Sequence, residues 1–293
     1  MIFGANGQLG HALSKRYRND CFDVTALTKK QCDTTDFYQV KEQIQKKKYD
    51  CIINASAYTK VDDAEENVEM SDMVNCQAIK NICKVIKNTG ILFIHYSTDY
   101  VFDGTSTKPY IESDKTNPIN QYGKSKLNGE ETLCSSNVNN LIFRTSWVYN
   151  NSGENFPNKI IEKIKQGRTV SVVDDQFGVP NHVDFISDTT YICIEKYFSY
   201  PDNIKRSVNG IYHLSSIGKV SWYKYAEFIS YTYFKRAKLQ TDISLVPIKS
   251  SSINNIAKRP SYSVLDCSKI SSVFDIVMPP WQDYANKFID SKL

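Results

Sequence analysis

The chain begins Met1-Ile2-Phe3 and passes at once into Gly4-Ala5-Asn6-Gly7-Gln8-Leu9-Gly10, with a glycine at every third position. Residues without a Cβ let a backbone turn tightly and approach a pyrophosphate, which then rests on the positive end of the following helix. That helix is legible in Leu9, Ala12, Leu13 and Tyr17. Strand, glycine loop and helix in this order are the context a dinucleotide site requires. Gly4, Gly7, Gln8, Leu9 and Gly10 are therefore expected to touch a cofactor. Only three residues precede the first glycine, so the first strand is expected to be short and weak.

The alternation continues. Phe22 to Leu27 predicts a second strand, whose end normally reads the adenosine ribose. An acidic residue there favours NAD, but Thr28-Lys29-Lys30 follows instead. A hydroxyl and two cations tolerate a 2′-phosphate, so NADPH is expected, with NADH possible; the lysines could equally be exposed loop residues. In Asp33-Thr34-Thr35-Asp36, Asp33 is a candidate for the adenine amino group or for a helix cap, and Thr34 is expected beside it. A helix then carries Phe37, Val40 and Ile44. Tyr49 to Ala57 predicts a buried strand that lays Ala57, Tyr58 and Thr59 along the dinucleotide. One long helix is expected from Ala64 to Asn88, with Met70, Val74, Ala78, Ile82 and Val85 as core packing. Ile91 to Tyr96 is a strand delivering Ser97 and Thr98, and Leu141 to Tyr149 another. Trp147, near its end, suits stacking on a sugar or base, or packing in a core.

This β-α order implies an α/β protein with a Rossmann-type doubly wound parallel sheet. Residues 1–149 are expected to form the NAD(P)-binding domain. From about Asn150 shorter elements separated by Gly, Asn and Pro turns imply a smaller lobe, 150–293, while 182–215 returns to the first domain. No flexible linker is visible, so the lobes are expected to interleave around a shared cleft.

A net charge of +4 with dispersed Lys and Arg gives no nucleic-acid footprint. The run Lys46-Lys47-Lys48 reads as a solvated helix end. No apolar stretch approaches the ~20 residues that cross a bilayer, and a signal peptide is not expected. The eight cysteines have no C-x-x-C pair, and the four histidines, His11, His95, His182 and His213, lack ligand spacing. A cytoplasmic protein with reduced thiols and no metal is expected.

Chemistry concentrates between Tyr96 and Glu130. Tyr122 and Lys126 lie four apart in QYGKSKLNGEE, one turn apart on a helical face. An ammonium beside a phenol favours the phenolate, and such a tyrosine can exchange a proton with a carbonyl or alcohol. The pair alone could be a solvated face. Thr98, at the carboxyl end of a strand where α/β sheets bind ligands, makes it a three-residue constellation.

With these residues in view, the chain resembles the dTDP-4-dehydrorhamnose reductases of the extended short-chain dehydrogenase/reductase superfamily. The matching stretches are GANGQLG, INASAYTKVDDAE, HYSTDYVFDG, NPINQYGKSKLNGE, LIFRTSWVY, DDQFGVP and KRPSYSVLD. The resemblance implies NAD(P)H-dependent reduction of the 4-keto group of dTDP-4-dehydro-β-L-rhamnose to dTDP-L-rhamnose. Tyr122 would protonate the alkoxide, Lys126 would hold the nicotinamide ribose, and Thr98 would bind the reacting oxygen. It further matches Asp99 and Trp147 to the sugar nucleotide and Tyr96 to the cofactor. Some members dimerise through a Mg²⁺ held by glutamates, one at the position of Ala12, so a monomer or a metal-free homodimer is expected. GDP-L-fucose synthase would have a cysteine where Asp99 stands, which favours a reductase without epimerase activity; a UDP- or GDP-linked sugar stays open. A non-catalytic NADP-binding subunit, like the regulatory partner of methionine adenosyltransferase, is the other class, disfavoured by the intact Thr98, Tyr122 and Lys126. Arg259 is a candidate for the substrate diphosphate, or a structural ion-pair partner.

Overall fold

The computed structural model describes residues 1–18, 22–239 and 244–293; Cys21 lies outside them. Strand β1 (Ile2–Phe3) leads through the glycine loop into α1 (Gln8–Arg18), followed by β2 (Ala26–Leu27), α2 (Phe37–Gln45) and β3 (Cys51–Asn54). An interrupted helical stretch comes next: α3 (Asp63–Glu66), α4 (Val68–Asp72), a π-helical turn at Met73–Gln77, and α5 (Ala78–Ile86). Then come β4 (Leu92–Thr98), α6 (Gln121–Cys134), β5 (Asn140–Thr145), β6 (Val148–Tyr149), α7 (Phe156–Lys165), β7 (Val170–Val173), β8 (Phe177–Gly178) and β9 (Asn181–His182). The chain finishes with α8 (Val183–Ser199), α9 (Asp202–Ser207), β10 (Gly210–His213), β11 (Val220–Ser221), α10 (Trp222–Ala237), β12 (Leu245–Ile248), α11 (Ser268–Phe274) and α12 (Trp281–Asp290).

Six parallel strands form the central sheet in the order β2-β1-β3-β4-β5-β10. Successive side chains point to opposite faces, and both faces are apolar. Ile2, Ile53, Leu92, Ile94, Leu141 and Phe143 pack under α1, α8 and α11. Phe3, Ile52, Phe93 and Ile142 pack under α2, α5 and α6. Burial on both faces explains why these strands read as continuous apolar runs. Strand order reverses at β1, between β2 and β3, and the carboxyl ends there open a crevice.

A separate apolar core, including Tyr149, Ile160, Val179, Tyr225, Ile229, Trp281 and Phe288, lies among α7, α10 and α12. Short strand pairs edge it: β7 with β12, β8 with β11, and β6 with β9. Ile270 and Phe274 of α11 join the sheet core instead, so this late segment packs with the first half of the chain rather than with the smaller lobe.

Several elements differ from the sequence expectation. The strand foreseen at 22–27 is reduced to Ala26–Leu27, because β1 offers only Ile2 and Phe3 as pairing partners. The helix foreseen from 64 to 88 is broken at Asn67, whose backbone is non-helical (φ −107°, ψ 53°), and is wound as a π-turn at 73–77. That turn lets Asn75 Nδ2 donate to the Tyr58 carbonyl and the Ser125 hydroxyl. Met70 is half exposed and Val74 partly buried; both border the cleft rather than the core. The strand foreseen at 141–149 is cut by Trp147, which has a positive φ of 44°.

Candidate functional site

The crevice at the carboxyl ends holds two adjoining spaces. One, of about 490 Å³, is lined by Gly4, Asn6, Gly7, Lys29, Cys32, Asp33, Thr34, Ala55 to Tyr58, Met70 and Val74. The other, of about 530 Å³, runs from Gly7, Gln8 and Leu9 past Asn54 to Ala57, Thr59, and Tyr96 to Tyr100, reaching Tyr122, Lys126, Thr145 to Val148 and Trp222. They share Gly7, Ala55, Ser56 and Ala57, so together they form one elongated groove of the size that small-molecule sites have.

The groove fits a dinucleotide. Gly4 has a φ of +78°, and a Cβ on Gly10 would stand 2.1 Å from the Gly4 carbonyl, so the loop closes only without side chains. The hydroxyls of Ser97 and Thr145 are buried in the groove wall with no protein partner, the condition of groups awaiting a polar ligand. At the other end Lys29 lines the wall and sits 3.6 Å from the Asp33 carboxylate. Asp33 accepts from the amide and hydroxyl of Thr35, while the helix cap is Asp36, which accepts from Tyr38 N and Gln39 N. Thr28 lies outside the lining, its amide and hydroxyl both spent on Gln31. Thr34 reaches the Ser56 hydroxyl at 3.5 Å. Tyr58 is pinned through its backbone to Asn75 and through its hydroxyl to Asp63. Tyr96 turns its ring into the core, hydroxyl against Thr190 at 2.8 Å; what it gives the site is its carbonyl.

The reactive centre is set by α6. Asn120 caps it, accepting from Gly123 N at 2.8 Å, and donates to the Lys258 carbonyl at 2.8 Å. A Cβ on Gly123 would lie 2.2 Å from the Tyr100 carbonyl, so the helix is drawn against the turn after β4. Tyr122 thereby comes beside Thr98 on the same wall. The Thr98 hydroxyl donates to Asp99 Oδ1 at 3.0 Å and accepts from Tyr100 N at 3.2 Å.

Burial in the wall pushes the Tyr122 phenol up to about 12; the Thr98 hydrogen bond works against this and the Asp99 charge with it. The ammonium-stabilised phenolate expected from the spacing is therefore corrected. Lys126 spends its Nζ on the Tyr96 carbonyl at 2.6 Å and approaches His95 Nε2 at 3.3 Å, so burial of the phenol prevails and Tyr122 stays protonated at neutral pH. Lys126 is itself buried, which brings it down to about 8 against the upward pull of Glu130. Asp99 is raised to about 6 by burial, with hydrogen bonds from Ser263 and Thr98 opposing.

On the far wall Trp147 stacks face to face on Trp222, with ring centroids 3.4 Å apart at 8°. Gly178 makes room beneath, since a Cβ there would stand 2.6 Å from Trp147. Arg259 forks onto Asp62 at 3.2 and 2.6 Å, giving it the ion-pair partner that was one of its two readings. Trp222, Asn54 and His95 escaped sequence reasoning. Trp222 follows a helix-capping Ser221 with no local mark of a site, and the other two lie inside apolar strands.

The whole chain, residues 1–293, matches the family described as RmlD substrate binding domain. The dTDP-4-dehydrorhamnose reductase of Salmonella typhimurium is 35% identical over 96% of this chain and 94% of its own length. Among solved structures, the Bacillus anthracis reductase in complex with NADP superposes with a TM-score of 0.87 at 32% identity, covering 99% of this chain and 97% of that one. The Clostridium acetobutylicum reductase gives 0.88 at 30%, again over 99% and 97%. The chain belongs to the dTDP-4-dehydrorhamnose reductase family. Ala12 lies on the buried face of α1, 7% exposed. Among the described residues no group of three or more His, Cys, Asp or Glu could hold a metal, and the seven described cysteines are all free.

Proposed function

We propose that this protein reduces the 4-keto group of dTDP-4-dehydro-β-L-rhamnose to the alcohol, using NADPH. The observation that carries the reading is the meeting of Tyr122 with Thr98, at the point where the dinucleotide groove runs into the wall bearing Trp147 and Trp222. Family membership and the NADP bound to the Bacillus anthracis relative support it.

When bound, NADPH supplies the hydride that goes to the carbonyl carbon. The hydride's electron pair would become the new C–H bond, the C=O π pair would move onto the oxygen, and the phenol of Tyr122 gives its proton to that oxygen to complete the alcohol. Its raised pKa keeps that proton in place until negative charge develops. Thr98 binds the same oxygen, its hydroxyl already aligned by Tyr100 N. Lys126, held by the Tyr96 carbonyl, keeps a further N–H for the ribose beside the nicotinamide. Gly4, Gly7, Gln8, Leu9 and Gly10 cradle the pyrophosphate; Asp33, Thr34, Ala57, Tyr58 and Thr59 border the adenosine, and Lys29, more than Thr28, faces its 2′-phosphate. Asp99 and Trp147 take the sugar nucleotide, and Arg259 its diphosphate after exchange from Asp62. The segment 150–293, which brings Trp222 to that wall, is mainly the sugar-nucleotide-binding lobe, and the protein acts in the cytoplasm as a monomer or homodimer.

The test is NADPH oxidation with the 4-keto substrate generated in place, with NADH, UDP- and GDP-linked 4-keto sugars run alongside. Turnover restricted to the dTDP sugar with NADPH supports the reading. Turnover of a UDP- or GDP-linked sugar alone reassigns the substrate, and tight NADPH binding with no turnover of any sugar moves the protein to the non-catalytic class.

A further inference from the structure

Beneath Lys126 lies a buried imidazole for which the reduction has no evident use. His95 sits on β4, register partner of Asn54 on β3, and Asn54, His95 and Lys126 are 1%, 1% and 2% exposed. Asn54 Oδ1 accepts from both the amide and the hydroxyl of Ser56, which fixes the orientation of the amide. Its NH₂ group therefore faces His95 Nδ1, at 3.5 Å, and on the other side of the ring Nε2 faces Lys126 Nζ at 3.3 Å.

A neutral imidazole has one N–H and one lone pair, and its two neighbours make conflicting demands. An ammonium at Lys126 carries only donors and needs the lone pair on Nε2, which leaves Nδ1–H pointed at the N–H of Asn54. A neutral amine at Lys126 accepts from Nε2–H, and Nδ1 then accepts from Asn54, so every group is matched. Double protonation offers no escape, because burial and the Lys126 charge hold His95 well below the ordinary histidine range.

We propose that His95, oriented by Asn54, is a positioning residue that couples the charge on Lys126 to the place of the ring proton: Nδ1–H while Lys126 is an ammonium, Nε2–H once it is an amine. The pair loses one proton to water in the change, and the ring stays neutral throughout. Asn54 thus works against the ammonium and helps bring the ionisation of Lys126 near the working pH. The charged or titratable neighbours are Tyr122 and Glu130 on α6, Tyr96 and Asp99 on β4 and the turn after it, and Arg144 on β5, which is paired to Glu130. The π-turn contributes neutral Asn75, and α3, α4 and α5 carry their charges at positions with access to solvent.

Histidine ¹⁵N shifts of the cofactor-free protein, with the His95 signals assigned by their loss in His95→Gln, read the tautomer directly. The ring should show Nδ1–H at about pH 6 and Nε2–H at about pH 10, with no imidazolium between, and the change centred near 8, the value to which burial brings Lys126 down. A single tautomer across that range, or an imidazolium signal, overturns the proposal. Asn54→Asp offers Nδ1–H an acceptor and should move the tautomer change up by about one unit or more. Resting on the reductase reading, the alkaline limb of the NADPH oxidation rate should move with it. An inactive protein that still changes tautomer sinks the reductase reading and leaves the pair intact; an active one whose ring never changes does the reverse.

Discussion

The wall of the cleft formed by β3, β4 and α6 holds the side chains proposed as reactive: Thr98 at the end of a strand in a ladder buried on both faces, and Tyr122 and Lys126 on a helix packed against it. The opposite wall reaches the cleft through one aromatic stack, with the half-exposed Arg259–Asp62 ion pair outside the groove lining. Lys126, Thr98 and Asp99 are each no more than 5% exposed, whereas the Arg259 and Asp62 side chains are 21% and 41% exposed. A buried polar group left without its partner costs its full desolvation, while an exposed one is rescued by water. The chemistry should therefore tolerate little change on the first wall, and substrate preference should be adjustable on the second.

The sharpest contrast is between two ion pairs. Arg144 and Glu130 are 2% and 1% exposed and meet at 2.7 Å. Glu130→Gln strands the guanidinium and should lower unfolding free energy by about 3–5 kcal/mol, read from urea titration. A loss below about 1 kcal/mol would mean that α6 is not anchored to β5 in this way.

Asp99 breaks the pattern from within the first wall, because there the native residue is the unstable choice. Its folded pKa of about 6 lies above the ordinary 3.8, so its contribution to stability is fully present below 3.8 and is lost as pH rises through 6. Asp99→Asn lacks that dependence. It should be the more stable protein at pH 8, by on the order of 3 kcal/mol at about 1.36 kcal/mol per unit, with the advantage gone near pH 4. Equal stability curves at both pH values would remove the burial argument.

On the second wall Gly178→Ala drives a methyl into Trp147, 2.6 Å away. We expect a cost of about 1–3 kcal/mol from overpacking, with KM for the sugar nucleotide raised and KM for NADPH unmoved; a rise in both would show that the walls are not independent. Asp62→Asn should have the smallest effect on folding, under about 1 kcal/mol. By freeing Arg259 it should lower the sugar nucleotide's KM, and a raised KM would assign Arg259 to structure alone.

The same contrast explains what could be read from the sequence. Strand-end positions follow from the apolar runs and the glycine loop, so Gly7, Ala57, Thr98, Tyr122 and Lys126 fall on the groove where spacing places them. Interruptions were not legible. The π-turn at 73–77 answers, through Asn75, to Tyr58, Ser125 and Gly129, which lie well away from it in sequence. Trp222 comes to Trp147 beside the pairing of β8 with β11, a contact of two short strands with no pattern of their own. The depressed tyrosine pKa failed for a related reason: helical spacing brings Lys126 to the right face, but the Tyr96 carbonyl, set by β4, takes its Nζ.

The central claim is that Tyr122 is the proton donor at the junction of the two walls. Its most direct test compares kcat and NADPH affinity for the native chain and Tyr122→Phe, the affinity read by fluorescence titration. The account predicts that kcat falls about 10²–10⁴-fold while NADPH binds as before. A Tyr122→Phe protein that turns over at the native rate would contradict it.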